Sequence, residues 1–186
     1  GNRPEYKSAA EKLGRCLVEN GIGLVYGGAN VGLMKIVADT MLSKGAEVIG
    51  VMPHHLVNRE VAHANLTEMI IVDTMAERKE QMVKLSDGFI ALPGGFGTLD
   101  ELSEIITYNQ LRINDKPLGI LNVSGYFDHL LKFYDHAVNE GYVRKEHRNN
   151  LIVSDNITNL MQLMQQYTPL TMGKWIEDIL DESNHL

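Results

Sequence analysis

The sequence has one cysteine, Cys16, so no disulfide can form within the chain and the fold must be held by burial. That usage suits a reducing cytoplasm. No apolar run approaches the roughly 20 residues of a membrane span, and no signal peptide is visible. Positive charge is also short: 17 Lys and Arg stand against 24 Asp and Glu, a formal net charge of −7. A general nucleic-acid binder carries a basic excess or a basic stripe, and neither is here. Two nucleotide fingerprints are missing as well. There is no Gly-x-x-x-x-Gly-Lys-Ser/Thr loop, and no Gly-x-Gly-x-x-Gly spacing, which disfavours a P-loop ATPase and the usual dinucleotide fold. His54 and His55 are adjacent, and neighbours rarely chelate one ion together, so no metal is expected. Cys16, on the apolar face of the first helical stretch, reads as an inert buried thiol.

What is present is a patterned chain of 186 residues, 44% hydrophobic, the size and balance of one domain spanning residues 1–186. Apolar residues at Ala9, Ala10, Leu13, Cys16 and Leu17 mark one face of a helix over 6–20, closed by Gly21. Short apolar runs at 22–26, 48–51, 69–72, 89–92, 118–121 and 151–153 read as strands. Between and after them, 31–44, 75–85, 99–109, 126–139 and 157–166 read as helices, with 52–65 irregular. The apolar side of Trp175, Ile176, Ile179 and Leu180 predicts one more helix. Buried strands alternating with amphipathic helices predict an α/β fold: a doubly wound, mainly parallel sheet with helices on both faces. Such a fold usually opens on a strand, and an opening strand is expected ahead of Gly1. Ligands in these folds sit beyond the carboxyl ends of the strands.

Two glycine turns fall at those ends. The first runs Tyr26-Gly27-Gly28-Ala29-Asn30-Val31-Gly32-Leu33-Met34, the second Pro93-Gly94-Gly95-Phe96-Gly97-Thr98-Leu99-Asp100-Glu101. Each follows a strand and opens a helix. Backbone N–H groups and the positive helix end there suit a phosphate; a plain tight connection is the alternative. Glu101 also has two readings. Thr98-x-x-Glu101 is a capping box, in which Glu101 bonds back to the first N–H of the helix. Yet Asp100, Glu101 and Glu104 crowd the same helix start, and carboxylates beside an anion site need a task or a cation. Arg78-Lys79, at the start of the preceding helix, is the candidate cation pair. Arginine there opposes the helix dipole, which hints at another use.

Taken together, these segments resemble the LOG (Lonely Guy) family, long labelled lysine decarboxylases. Pro93-Gly94-Gly95-Phe96-Gly97-Thr98-Leu99-Asp100-Glu101 is similar to its Pro-Gly-Gly-x-Gly-Thr-x-x-Glu signature, Arg78-Lys79 to its Arg-Lys pair, and Tyr26-Gly27-Gly28 with Gly32-Leu33-Met34 to its first glycine segment. Gln110-Leu111 with Asp115-Lys116-Pro117 adds to the likeness. The resemblance implies a Rossmann-like fold, a homodimer, no cofactor, and release of a free base and ribose 5-phosphate from nucleoside monophosphates, cytokinin forms included. It further implies Arg78 and Glu101 as the catalytic pair, with Gly27, Gly28, Glu60, Lys79, Gly94, Gly95, Gly97, Thr98 and Thr107 lining the nucleotide site. Three positions depart from the pattern: Ala29 for the third glycine of the first turn, Lys35 for a glycine after Leu-Met, and Ala76 for a histidine before Arg78.

The chemistry is coherent with these residues. Cleavage of the glycosidic bond passes through an oxocarbenium-like state, as in sugar hydrolysis, which a carboxylate such as Glu101 would stabilise. Arg78 has three candidate tasks: pairing with Glu101, binding phosphate, and assisting the departing base. A binding or carrier protein of the same fold, without turnover, is the alternative function. The decarboxylase label taken literally would need a lysine set for a pyridoxal phosphate Schiff base, and no lysine has such a setting.

Overall fold

The computed structural model describes residues 1–57 and 62–170. Helix α1 (Pro4–Glu19) takes Pro4 in its first turn, where a missing N–H costs nothing. It is followed by β1 (Leu24–Tyr26), α2 (Gly32–Leu42), β2 (Val48–Pro53), a one-turn α3 (His54–Val57) and β3 (Glu68–Val72). The chain continues with α4 (Met75–Leu85), β4 (Phe89–Ala91), α5 (Phe96–Gln110), β5 (Leu118–Leu121), a 3-10 turn at Val123–Gly125, α6 (Asp128–Asn139), α7 (Lys145–Asn149), β6 (Ile152–Ser154) and α8 (Ile157–Gln165). The short helices α3 and α7 have no counterpart in the sequence reading; four or five residues are too few to show a 3.6-residue period. The expected helix at Trp175–Leu180 lies outside the described residues.

Every strand pairing is parallel, as the alternation of elements requires. The strands form two ladders, β1-β2-β3 and β4-β5-β6, and among the described residues none joins β1 to β4. The parallel α/β layering is as expected, while the sheet comes as two three-stranded halves. In each half the middle strand is covered on both faces. All four residues of β5 are buried, as are five of the six in β2. This is why both strands read as unbroken apolar runs rather than alternating ones.

The halves share one interior. Ala10, Leu13 and Leu17 of α1 pack with Val37, Ala38 and Met41 of α2, and Ile90 and Leu92, at and just after β4, pack against the same cluster. Gly14 permits this closeness: a Cβ there would come within 2.9 Å of Thr40. On the other half α8 lies so close to β5 that a Cβ at Gly119 would meet Met164 Sδ at 2.7 Å. No helix among the described residues is long and apolar enough to cross a membrane.

One buried histidine ties the first glycine turn to its surroundings. The His63 backbone N–H donates to the Gly28 carbonyl at 2.9 Å. Its Nδ1 accepts from the Asn65 N–H at 3.3 Å, so Nε2 carries the ring proton and donates to Asp39 Oδ1 at 2.8 Å. Burial alone would raise the Asp39 carboxyl, but hydrogen bonds from Lys35 and His63 outweigh it and leave it below its ordinary value. Asp39 is therefore part of a tie between α2 and the segment before β3, more than a surface group. We expect His63→Ala to lower the unfolding free energy by about 2 kcal/mol, from a lost buried ring and an unsatisfied amide. Urea denaturation would measure it. A change below about 0.5 kcal/mol, the ordinary range for surface substitutions, would show that the segment is held by other contacts.

Candidate functional site

The carboxyl ends of β1, β2 and β4 converge on the starts of α4 and α5, and Arg78 is the residue that joins them. Thr74 caps α4, its hydroxyl accepting from the Glu77 N–H at 3.1 Å, while Glu77 Oε2 accepts from the Asp73 N–H at 2.9 Å. That cap starts the helix so that Arg78 turns inward, its side chain only 11% exposed. Nε donates to the Val51 carbonyl of β2 at 3.0 Å, and Nη1 donates to Glu101 Oε1 at 2.8 Å. The third edge of the guanidinium lies against the first glycine turn: a Cβ on Gly27 would land on Arg78 Nη2, with Cζ at 3.0 Å. A planar fork held on three sides has almost no freedom left.

Glu101 stands on the second turn of α5. The helix begins at Phe96 with Gly95 as its N-cap and no side-chain cap, so Thr98 lies inside the helix and the capping-box reading of Thr98 and Glu101 does not hold. Freed from capping, Glu101 reaches across to α4. Only Oε1 is paired among the described residues; Oε2 remains open on a side chain 37% exposed. The same Thr-x-x-Glu pattern does cap α4, at Thr74 and Glu77.

The second glycine turn is open. A Cβ at Gly95 or Gly97 would meet nothing within 4 Å, and neither residue has positive φ. Neither packing nor backbone geometry demands a glycine there; what the glycines leave is unobstructed backbone. The N–H groups of Phe96, Gly97 and Thr98 have no acceptor among the described residues, the ordinary condition of a helix start and the condition an anion needs. Gly94 is different: its missing Cβ makes room for Thr98, whose own Cβ would sit 2.8 Å away.

Lys79 disposes of the remaining negative charge. Its ammonium lies 3.1 Å from Glu104 and 3.3 Å from Asp100. The bond to Glu104 pushes it above its ordinary value against the effect of burial, and Asp100 adds to the rise. Of the three acidic residues at this helix start, two are tied to lysine and one keeps a free oxygen.

The structure thus brings together Arg78, Lys79, Glu101, Gly27 and the 94–98 turn. Gly28, in the left-handed region at φ 72°, completes the first turn. Thr107 is set apart: nine residues past Thr98 on α5, it is about 14 Å further along the axis at 1.5 Å per residue. Its hydroxyl bonds back to the Ser103 carbonyl at 2.8 Å. Glu60 lies outside the described residues. Two residues escaped the sequence reading. Val51 contributes only a carbonyl, which leaves no mark on composition. Tyr126 was legible only as the start of a helix, yet its hydroxyl donates to the Gly94 carbonyl. The Cys16 thiol is pushed up by burial and by Glu19, away from the reactive thiolate. No group of three His, Cys, Asp or Glu comes together among the described residues to suggest a metal centre.

Comparison with known proteins bears on this geometry. The family described as "Possible lysine decarboxylase" matches residues 34–164. The "Probable cytokinin riboside 5'-monophosphate phosphoribohydrolase LOGL1" of Oryza sativa subsp. japonica is 47% identical over 168 residues, 90% of this chain and 75% of that protein. The cytokinin riboside 5'-monophosphate phosphoribohydrolase LOG2 of Arabidopsis thaliana is 45% identical over 169 residues, 91% of this chain and 79% of that protein. Among solved structures, the molybdenum cofactor binding protein of Rippkaea orientalis superposes with a TM-score of 0.65 at 23% identity, covering 88% of each chain. The molybdenum cofactor carrier protein of Chlamydomonas reinhardtii gives 0.63 at 19%, covering 89% of each. At these identities the two cofactor proteins share the fold, and a shared fold does not carry function.

Proposed function

The chain belongs to the LOG family, and from that premise we propose that it is a phosphoribohydrolase, cleaving the N-glycosidic bond of nucleoside 5′-monophosphates to free base and ribose 5-phosphate. AMP and cytokinin riboside 5′-monophosphates are the proposed substrates. The observation that supports catalysis over mere binding is the Arg78–Glu101 pair, with one carboxylate oxygen fixed and the other open beside a glycine turn.

In this reading the 5′-phosphate rests on the free N–H groups of 96–98 and the Thr98 hydroxyl, and that remote grip positions the bond to be cleaved. Glu101 Oε2 faces the anomeric carbon. As the C–N bond breaks and its electron pair leaves with the base, the sugar becomes oxocarbenium-like and the carboxylate stabilises it. The same oxygen orients the water, whose attack at the anomeric carbon completes ribose 5-phosphate and whose released proton goes to the departing base. Arg78 is the strut that fixes Glu101 Oε1 and leaves Oε2 for the substrate. Lys79 offsets Asp100 and Glu104, which would otherwise repel the phosphate.

The decarboxylase label gains nothing from these residues. A Schiff-base lysine must be available as a neutral amine, and Lys79 is held in the opposite state by two carboxylates. The test is chromatographic: the pure protein is incubated with AMP and with an isoprenyl-AMP, and free base is sought. Base from either substrate carries the proposal, and silence from both sinks it.

We further infer a single-domain cytoplasmic enzyme that works as a homodimer on a small phosphorylated substrate, without nucleic acid or membrane partners. Phe96, 91% exposed at the start of α5, and Ile113, 66% exposed beyond its end, are apolar surface that a second copy would cover. Light scattering should give the mass of two chains; the mass of one would overturn the dimer.

A further inference from the structure

The loop after β5 does more than connect. Asn122 organises it: its N–H donates to the Ser154 carbonyl at 2.8 Å, its Oδ1 accepts from the Phe127 N–H at 2.7 Å, and its Nδ2 donates to Asp128 Oδ1 at 2.7 Å. Between these anchors Ser124 and Gly125 are both left-handed, at φ 52° and 70°. A serine in that region is uncommon and is held at some cost in strain. The result is to deliver Tyr126 to the second glycine turn, 32 residues away in sequence, where its hydroxyl donates to the Gly94 carbonyl.

The ring is supported on two sides. It stands edge-on to Phe127, which is 2% exposed, with centroids 5.0 Å apart, and edge-on to Tyr6 of α1 at 5.8 Å. Such T-shaped contacts favour this pose on a residue that is otherwise 42% exposed. These contacts and the bond to Gly94 together aim the hydroxyl at the turn.

The bond to Gly94 has a stereochemical consequence. In a planar trans peptide the C=O and the following N–H point in opposite directions. Holding the Gly94 carbonyl toward Tyr126 turns the Gly95 N–H the other way; like the N–H groups of Phe96, Gly97 and Thr98, which the helix itself orients, it has no acceptor among the described residues. Gly94 and Gly95 have no side chains to fix that plane themselves, and a Gly-Gly peptide is the freest in the chain. Nothing else among the described residues donates to this carbonyl.

We propose that Tyr126 is a positioning residue for the phosphate of the nucleotide: its hydroxyl sets the Gly94–Gly95 peptide plane, so that the Gly95 N–H is already aligned when the turn meets the anion. This rests on the phosphoribohydrolase reading of the site. The contribution is one of preorganisation, since a turn free to rotate would have to be ordered by the ligand.

Tyr126→Phe keeps the ring and both edge-on contacts and removes only the hydroxyl. Affinity is read by calorimetry with ribose 5-phosphate and with inorganic phosphate, alongside base release from AMP. In the variant, Kd for both phosphates should rise about three- to tenfold, the worth of one hydrogen bond. The KM for AMP should rise by a similar factor, with a melting temperature close to that of the wild type. Unchanged Kd values would overturn the inference and leave the hydrolase standing. So would a large drop in melting temperature with affinity intact in the folded protein, since the hydroxyl would then only support the fold. A wild-type protein that releases no base and binds neither phosphate would sink the hydrolase reading, and this one with it.

Discussion

Replacing Glu101 by Gln is expected to lower kcat at least about a hundredfold, the cost of losing one preorganised electrostatic group at a developing charge. The substitution is nearly isosteric. The amide oxygen can still accept from Arg78 Nη1, at the position where Oε1 now lies 2.8 Å away. What disappears is the negative charge on the open oxygen that the proposed mechanism sets against the sugar. The ground state carries little positive charge at that carbon, so KM should move far less than kcat, the pattern of an interaction made only in the transition state. Neither the core nor the start of α5 depends on Glu101, because the helix is not capped by it. Melting should therefore stay close to that of the parent. Turnover within about tenfold of wild type would remove Glu101 from the mechanism.

The second large effect should come from a methyl group. Gly27→Ala places a Cβ on the Arg78 guanidinium, at Nη2. Gly27 is not left-handed, so alanine meets no backbone penalty and the clash is with Arg78 alone. The guanidinium must move, giving up the Val51 carbonyl, the Glu101 carboxylate or both. A catalytic group displaced by about 1 Å commonly loses about a hundredfold in rate, and that is the expected fall in kcat/KM. Arg78→Lys should be similarly impaired, because an ammonium lacks the planar fork that reaches the Val51 carbonyl and Glu101 together. If both substitutions act by the same displacement, the double variant should be scarcely worse than either single one. Multiplying losses, or near-normal activity in Gly27→Ala, would show that Arg78 is not held as described.

These two residues mark where the sequence was and was not legible. Period and punctuation were enough for the larger elements: the apolar stripe of α1, the unbroken runs of β2 and β5, and the glycine turns. Each expresses a physical regularity, burial on one face, burial on two, or a chain reversal. The roles proposed for Arg78, Glu101 and the second glycine turn came from motif spacing joined to a family resemblance. Local pattern alone misled at Thr98-x-x-Glu101. The same four-residue pattern caps α4 at Thr74 and Glu77, and nothing within it says which glutamate will find an arginine across the fold. The reason Gly27 is glycine was equally hidden. Its role in the turn was readable, but the neighbour that excludes a side chain comes from 51 residues downstream. Tyr126 was invisible for a related reason: a hydroxyl bonded to a backbone carbonyl requires no particular residue at the other end.

The two strand ladders have a consequence for how such a protein can be recombined. Arg78 belongs to the helix leaving the first half, and Glu101 to the helix inside the second, with Ser86 to Gly88 between α4 and β4. A chimera of two relatives joined at Ser86–Gly88 would leave each ladder with a single parent and divide the site between them. Each parent would supply half of the Arg78–Glu101 pair and half of the Lys79 pairs with Asp100 and Glu104, and the interior shared by α1, α2 and β4 would also be new. The activity of those hybrids that melt like their parents would then act as a ruler, reporting how well two independently inherited halves bring their charged groups into register.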